Sequence, residues 1–137
     1  MLSPKYRNFR YAHLHHFKGK KQLQLNRHGN WGLFAETRGI ITAAQLESAR
    51  QAISKRIKKI GKIWICIFPH RPFSKKAAET RMGSGKGSVS YWGELILPGQ
   101  LLFEISVLSD PIAKEALRAA AFKLPIKTKI IQKIINT

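Results

Sequence analysis

Between residues 43 and 60, apolar side chains recur at spacings of three and four: Leu46, Ala49, Ile53, Ile57 and Ile60. That spacing lays a single stripe along a helix. Thr42 and Gln45 form a capping box at its start and Gly61 supplies a stop, so a helix is predicted over Ala43 to Ile60. A second helical stripe, Ala113, Ala116, Leu117, Ala120, Ala121 and Leu124, follows Asp110-Pro111, an N-cap residue with proline at the first helical position. This helix is expected to run to about Lys123, with small residues that allow close packing on a sheet, and Pro125 ends it. Elsewhere the pattern is that of strands. Short ones are expected at Trp31 to Glu36 and around Ile40. Lys62 to Phe68 reads as a strand buried on both faces, with Cys66 as a small core residue inside it. Val89 to Leu97 and Leu101 to Leu108, separated by the turn signal Pro98-Gly99, read as a hairpin. Ile126 to Ile135 is expected as a last strand with Lys127, Lys129 and Lys133 facing outward. Interspersed strands and helices, with at least one antiparallel pair, make the fold class α+β with a mixed or antiparallel sheet and two main helices.

Two segments fit neither period. Residues 1–30 read as a basic N-terminal arm; residues 1–35 lack any acid while Tyr6, Phe9, Tyr11 and Phe17 alternate with Lys5, Arg7, Arg10 and other cations. Basic residues interleaved with aromatics suit phosphate neutralisation combined with base stacking. Residues 69–88 read as a long loop projecting from a single domain of residues 31–137, with Arg71, Lys75, Lys76, Arg81 and Lys86 against Glu79 alone. Loops of that size in a compact domain are usually functional or disordered. Within it, Arg81-Met82-Gly83-Ser84-Gly85-Lys86-Gly87 joins cations to three glycines, a backbone that can approach another surface closely and adopt positive φ.

Charge narrows the partner. Against 7 acids the 137-residue chain carries 25 lysines and arginines, a net charge of +18 and a pI near 10.7, the electrostatic signature of a nucleic-acid binder. On the first helix Arg50, Lys55, Arg56, Lys58 and Lys59 face a lone Glu47, which makes a phosphate-facing flank as well as a complement to the helix dipole. A cationic membrane-surface protein and a nucleic-acid-processing enzyme are the rivals from other classes. The first would bind anionic vesicles without RNA. The second would need an acidic cluster for magnesium, and the seven acids are scattered.

Chemistry of other kinds finds little to stand on. The segment around Gly83 departs from a phosphate-binding P-loop, with Thr80 where the first glycine belongs and Gly87 where serine or threonine should follow Lys86. His13, His15 and His16 lack cysteine or acidic companions and read as solvated or phosphate-facing. One cysteine excludes a disulfide framework, and no apolar run reaches the ~20 residues that span a bilayer. No catalytic residue, metal site, cofactor or small-molecule substrate is expected. Motif-bearing sequence begins almost at once, so no removable leader is expected either.

Several segments in order carry a family resemblance: Met1-Leu2-Ser3-Pro4-Lys5, Arg38-Gly39-Ile40-Ile41-Thr42-Ala43, Gln45-Leu46-Glu47, Ala49-Arg50, Gly61-Lys62-Ile63-Trp64-Ile65, Phe68-Pro69, Arg81 to Gly87, Tyr91-Trp92, Pro98-Gly99 and Lys123 to Thr128. Over nearly its full length the chain resembles the bacterial-type large-subunit ribosomal protein L sixteen, of the universal uL-sixteen family. The resemblance implies an α+β fold of the hammerhead type and a structural role in the large ribosomal subunit. It implies binding to large-subunit rRNA beside the aminoacyl-tRNA site, contacts with tRNA and neighbouring ribosomal proteins, and no membrane. It places the loop residues Arg81, Met82, Gly83, Gly85, Lys86 and Gly87 near tRNA; on charge, Lys5, Arg7, Arg10, Arg50, Lys55, Arg56, Lys58, Lys59, Arg71, Lys75, Lys76 and Lys127 are the cations expected to contact rRNA. The chain departs from the family at Cys66, commonly basic, at His70-Arg71-Pro72, commonly Asp-Lys-Pro, and across Leu14 to Asn30. Sixteen isoleucines and sixteen lysines against nine arginines suggest an AT-rich genome. A mitochondrial matrix ribosome is therefore the favoured location, with plastid stroma and bacterial cytoplasm as alternatives.

Overall fold

A computed structural model describes residues 2–7, 9, 11–13, 18–21 and 26–133. In chain order its elements are β1 (Trp31–Ala35), β2 (Gly39–Thr42), α1 (Ala43–Ile57), β3 (Lys62–Ile65), β4 (Arg71–Ser74), β5 (Val89–Ile96), β6 (Leu101–Ser106), α2 (Asp110–Ala121) and β7 (Thr128–Gln132). The fold is α+β, as the pattern predicts. The strands form two antiparallel sheets, a large one in the order β3-β6-β1-β7 and a small one in the order β2-β5-β4.

The core lies where the large sheet meets the helices. Every residue of β1 is buried, because β6 and β7 flank it on both sides. Leu33 and Phe34 are fully buried, each contributing of the order of 2–3 kcal/mol relative to exposure. Leu46, Ala49, Ile53 and Ile57 of α1 meet Ala113, Ala116, Leu117 and Ala120 of α2 in the same cluster. The alanine stripe of α2 packs first against α1 and only then against β1 and β7, so the small residues serve helix-to-helix approach more than helix-to-sheet packing.

Several expectations from the sequence need correction. β5 and β6 are not hairpin partners: Pro98-Gly99 does turn the chain, with Gly99 at φ +88, but β5 enters the small sheet and β6 the large one. Lys62 to Phe68 is not a strand buried on both faces. β3 ends at Ile65 on the edge of the large sheet, and Cys66 and Phe68 are exposed while Ile67 turns inward. Part of the long loop is also a strand, β4, which tolerates Pro72 because it lies on the edge of the small sheet. At the start of α2 the N-cap is Ser109, with no side-chain capping bond, and not Asp110, which is the first helical residue and accepts from Trp31 Nε1 (3.1 Å). The expected strand end at Ile134 and Ile135 lies outside the described residues.

The capping box of α1 is present, with Gln45 N donating to Thr42 Oγ1 (3.3 Å) and Thr42 N to Gln45 Oε1 (3.0 Å). The helix stops three residues earlier than its pattern suggests, and Ile60 is exposed. Lys58 ends it at φ 50 and ψ −125, a conformation that favours glycine and costs a residue with a Cβ of the order of 1–3 kcal/mol. Lys58→Gly is therefore expected to stabilise the free chain by about 1 kcal/mol in denaturant unfolding. A loss of stability would mean that the lysine stem supports the turn through packing.

Candidate nucleic-acid interface

The glycine-rich loop hangs from the β4–β5 pair, which continues one step beyond the sheet as Lys75 N donates to Ser88 O (3.1 Å). Gly87 makes that closure possible: a Cβ there would lie 2.6 Å from the carbonyl of Lys75 and 2.7 Å from the amide of Lys76. Gly83 and Gly85 serve a different need. Both face open space, but they adopt φ +99 and +79, and Ser84 between them stands at +59. Three successive positive φ values turn the loop tip sharply with little side-chain bulk on it. Lys76 Nζ donates to Gly83 O (2.6 Å) and braces the tip from within. Arg81 and Met82 are exposed, and Arg81 has no partner among the described residues.

The arm lies against this same side of the molecule. The Arg7 guanidinium sits 5.9 Å from the Trp92 ring centroid, and Lys86 Nζ lies 5.0 Å from that of Tyr11. Such exposed cation–π contacts contribute about 0.5–1 kcal/mol each. Between arm and small sheet runs a groove of about 440 Å³, walled by Tyr6, Arg7, Phe9, Tyr11, Arg71 and Trp92. Lys5, Tyr6 and Phe9 are exposed, and Leu2 packs on the core. Arg10, Phe17, His15 and His16 lie outside the described residues. The structure thus brings Lys5, Arg7, Arg71, Lys75, Lys76 and the loop 81–87 together around the small sheet. Arg71 is already engaged, 3.8 Å from the Glu94 carboxylate, which also meets His70 Nδ1 at 2.6 Å. Burial raises the Glu94 carboxyl above its usual range, while His70 and Arg71 oppose that rise.

The cations of α1 form a second group, beside α2. Two of them are bound within the chain. Arg50 forks onto Glu47 (3.0 and 2.5 Å), which holds the Glu47 carboxyl low and raises the guanidinium. Arg56 reaches Glu115 at 3.4 Å. Lys55, Lys58 and Lys59 are exposed with no partner among the described residues. Lys127 joins neither group; its side chain is exposed and its backbone pairs with Glu36 and Thr37.

The residues just before β1 are held by an acid that sequence reasoning missed. Glu104, in the middle of β6, is 2% exposed, and its carboxylate accepts from the amides of Arg27 (3.1 Å), His28 (2.7 Å) and Gly29 (2.9 Å). Burial alone would raise its pKa. The three N–H donors together outweigh burial and hold the carboxyl below its ordinary range. His28, so placed, stacks on Trp64 with ring centroids 5.6 Å apart. Cys66 Sγ lies 3.8 Å from Glu104 Oε1. Partial burial of the sulfur and that neighbouring charge push the thiol up to about 12, leaving it protonated and unreactive. The available signal was the acid itself, alone in the apolar run Leu101 to Val107.

Among the described residues no cluster of His, Cys, Asp or Glu could hold a metal ion, and no helix is long and apolar enough to cross a membrane. The arrangement is an extended surface of cations, exposed rings and close-approach backbone. Comparison with known proteins agrees with that reading. The sequence pattern of the family described as ribosomal protein L16p/L10e matches residues 4–131. The large ribosomal subunit protein uL16 of Acidiphilium cryptum is 51% identical over 136 residues, covering 98% of both chains. Its namesake in Buchnera aphidicola is 48% identical, covering 98% of this chain and 99% of its own. That of Lysinibacillus sphaericus is 46% identical, covering 97% and 93%. A match on this scale, through the arm, both sheets and the loop, makes the chain a member of the ribosomal protein L16p/L10e family.

Proposed function

We propose that the chain is a structural constituent of the large subunit of a bacterial-type ribosome, where it binds large-subunit rRNA beside the aminoacyl-tRNA site and helps to position tRNA. Its relatives carry the name of a large-subunit protein. The observation that carries the finer reading is the loop tip, where Arg81 and Met82 are exposed beside three successive positive-φ residues. An RNA backbone can reach such a tip at main-chain distance while Arg81 forks onto a phosphate and Lys86 adds a point charge. Lys5, Arg7, Lys75 and Lys76 extend the same basic surface. Lys55, Lys58 and Lys59 are free for rRNA from the outset, whereas Arg50, Arg56 and Arg71 must share their charge with an acid or exchange it. Lys127 and the arm residue Arg10 complete the proposed contact set.

On this reading the chain works by charge and shape. It is no enzyme and needs no cofactor, metal or small-molecule substrate, and its partners are rRNA, tRNA and neighbouring large-subunit proteins. The proposed location is the large subunit in a bacterial cytoplasm or an organelle; isoleucine and lysine usage favours the mitochondrial matrix, whereas the relatives named above are bacterial.

Arg81→Ala separates a loop role from a general one. Removing one charge-assisted phosphate contact, worth roughly 1.5–3 kcal/mol, is expected to weaken tRNA occupancy of purified ribosomes about tenfold or more. Sedimentation of the large subunit should stay normal. Equal damage to assembly and to tRNA binding would remove the case for a tRNA-proximal loop. Loss of the chain from large-subunit fractions at high salt without RNase would overturn the ribosomal role itself.

A further inference from the structure

Phe122 is out of place. It closes α2 as the C-cap residue, in ordinary helical geometry with its amide bonded to Arg118 O (3.2 Å), yet its ring is 88% exposed. Lone exposed apolar side chains are common and carry no message. This one lines a groove of about 440 Å³ between α1 and α2, together with Lys55, Arg56 and Lys123. Ala52 and Ala119 line the groove too and leave room for a flat group, while Ser48 and Gln51 offer hydrogen-bonding groups. The acid that Arg56 meets, Glu115, is itself exposed and spans 3.4 Å to that guanidinium, so the lining keeps a surplus of positive charge.

An aromatic face beside several cations is the arrangement that holds single-stranded nucleic acid: the ring takes a base, the cations take the flanking phosphates. A duplex has no base face to offer it. A neighbouring protein is a poorer fit, since the apolar lining amounts to one ring and two alanines. An acidic segment would satisfy the cations and leave the ring uncovered. Helix-dipole complementarity explains cations at the C-terminal ends of α1 and α2, Lys123 included, but not an exposed ring beside them.

We propose that the groove between α1 and α2 holds one unpaired nucleotide of bound RNA, its base stacked on Phe122 and its phosphates drawn to Lys55, Arg56 and Lys123. This rests on the RNA-binding reading above and adds to it a single-stranded subsite separate from the loop.

The test uses the full chain and two labelled probes: a single-stranded RNA hexamer, and a hexamer of the same sugar–phosphate backbone without bases. Affinities are read by anisotropy over a range of salt. The unaltered chain should prefer the hexamer with bases by about tenfold. Tyr6, Phe9 and Tyr11 of the arm can also stack on bases, so the variants are made in a chain with those three rings changed to alanine. There Phe122→Ala should abolish the preference with an unchanged thermal midpoint, as expected for an exposed ring, and Phe122→Trp should keep it. Lys123→Ala should leave the preference intact while lowering the salt slope by about 0.7. A preference that survives Phe122→Ala in the chain without the arm rings overturns the proposal. If the unaltered chain binds large-subunit rRNA but shows no preference between the hexamers, the subsite falls and the RNA-binding reading stands. Failure to bind any of the three RNAs removes both. If Phe122→Ala leaves hexamer binding alone but releases a neighbouring protein from assembled subunits, the groove is a protein contact and the proposal is wrong.

Discussion

Replacing Glu104 by alanine is expected to destabilise the chain by about 3–5 kcal/mol, because it orphans three backbone donors at once. The carboxylate is the shared acceptor for the amides of Arg27, His28 and Gly29, and alanine leaves all three without one. Each orphaned buried donor costs of the order of 1–3 kcal/mol, less where water can reach it. For a domain of this size the thermal midpoint should fall by about 15 °C. A fall under about 3 °C would mean that water replaces the carboxylate at no cost. The effect carries a pH signature. The folded carboxyl lies below its ordinary range, so it binds its proton less readily in the folded chain than in the unfolded one. Its stabilisation is therefore fully present above the unfolded value of roughly 4.3 and is lost as pH falls through the lower folded value. Glu104→Gln should lack this acid-side loss, and melts recorded across that window would show the difference.

The second large effect concerns the residue beside that clamp. A Cβ on Gly29 would lie 2.5 Å from the carbonyl oxygen of Ile105, 2.8 Å from its amide nitrogen and 2.9 Å from its carbonyl carbon. All three are backbone atoms of β6, so no side chain can swing aside. Gly29→Ala must push residues 27–29 off the strand, at about 3 kcal/mol or more. Because that displacement also breaks the bonds to Glu104, the two substitutions should not add: the double variant is expected to lose clearly less than the sum of the single losses. Full additivity in denaturant unfolding would show that the close approach and the carboxylate clamp act independently.

What could be read in advance divides along the range of the interaction responsible. The capping box at Thr42 and Gln45, the two apolar stripes and the turn at Pro98-Gly99 are local, and all are present. Most of the failures are non-local, the early stop of α1 and the cap of α2 aside. Pro98-Gly99 reverses the chain equally well between paired strands and between strands of different sheets, so turn chemistry could not place β5 and β6 apart. β4 hid behind Pro72 and Arg71, residues that an edge strand accommodates and a central one does not. The apolar run at residues 62–68 suggested two-sided burial, but an edge position leaves β3 only partly covered. For the interface, the loop and arm were legible as charge, glycine and aromatic patterning. That Arg50, Arg56 and Arg71 are paired with Glu47, Glu115 and Glu94 was not: two of those partners are distant in sequence.

β5 also behaves as a lever. Its eight residues span about 27 Å from the foot of the loop to the Pro98-Gly99 turn, where Gly99 N donates to Ala35 O on β1. A tilt of about 5° about Gly93, four residues and about 14 Å from the foot of the loop, would carry that foot through roughly 1 Å. The aim of the loop is thus governed at a fulcrum well away from it, at Gly93, where an added Cβ would lie 2.9 Å from both Ile41 O and the Phe73 ring. Bulk introduced at this hinge would misdirect the tip while every residue of the tip stayed intact. A defect that looks like a lost contact could then arise from a strand merely leaning the wrong way.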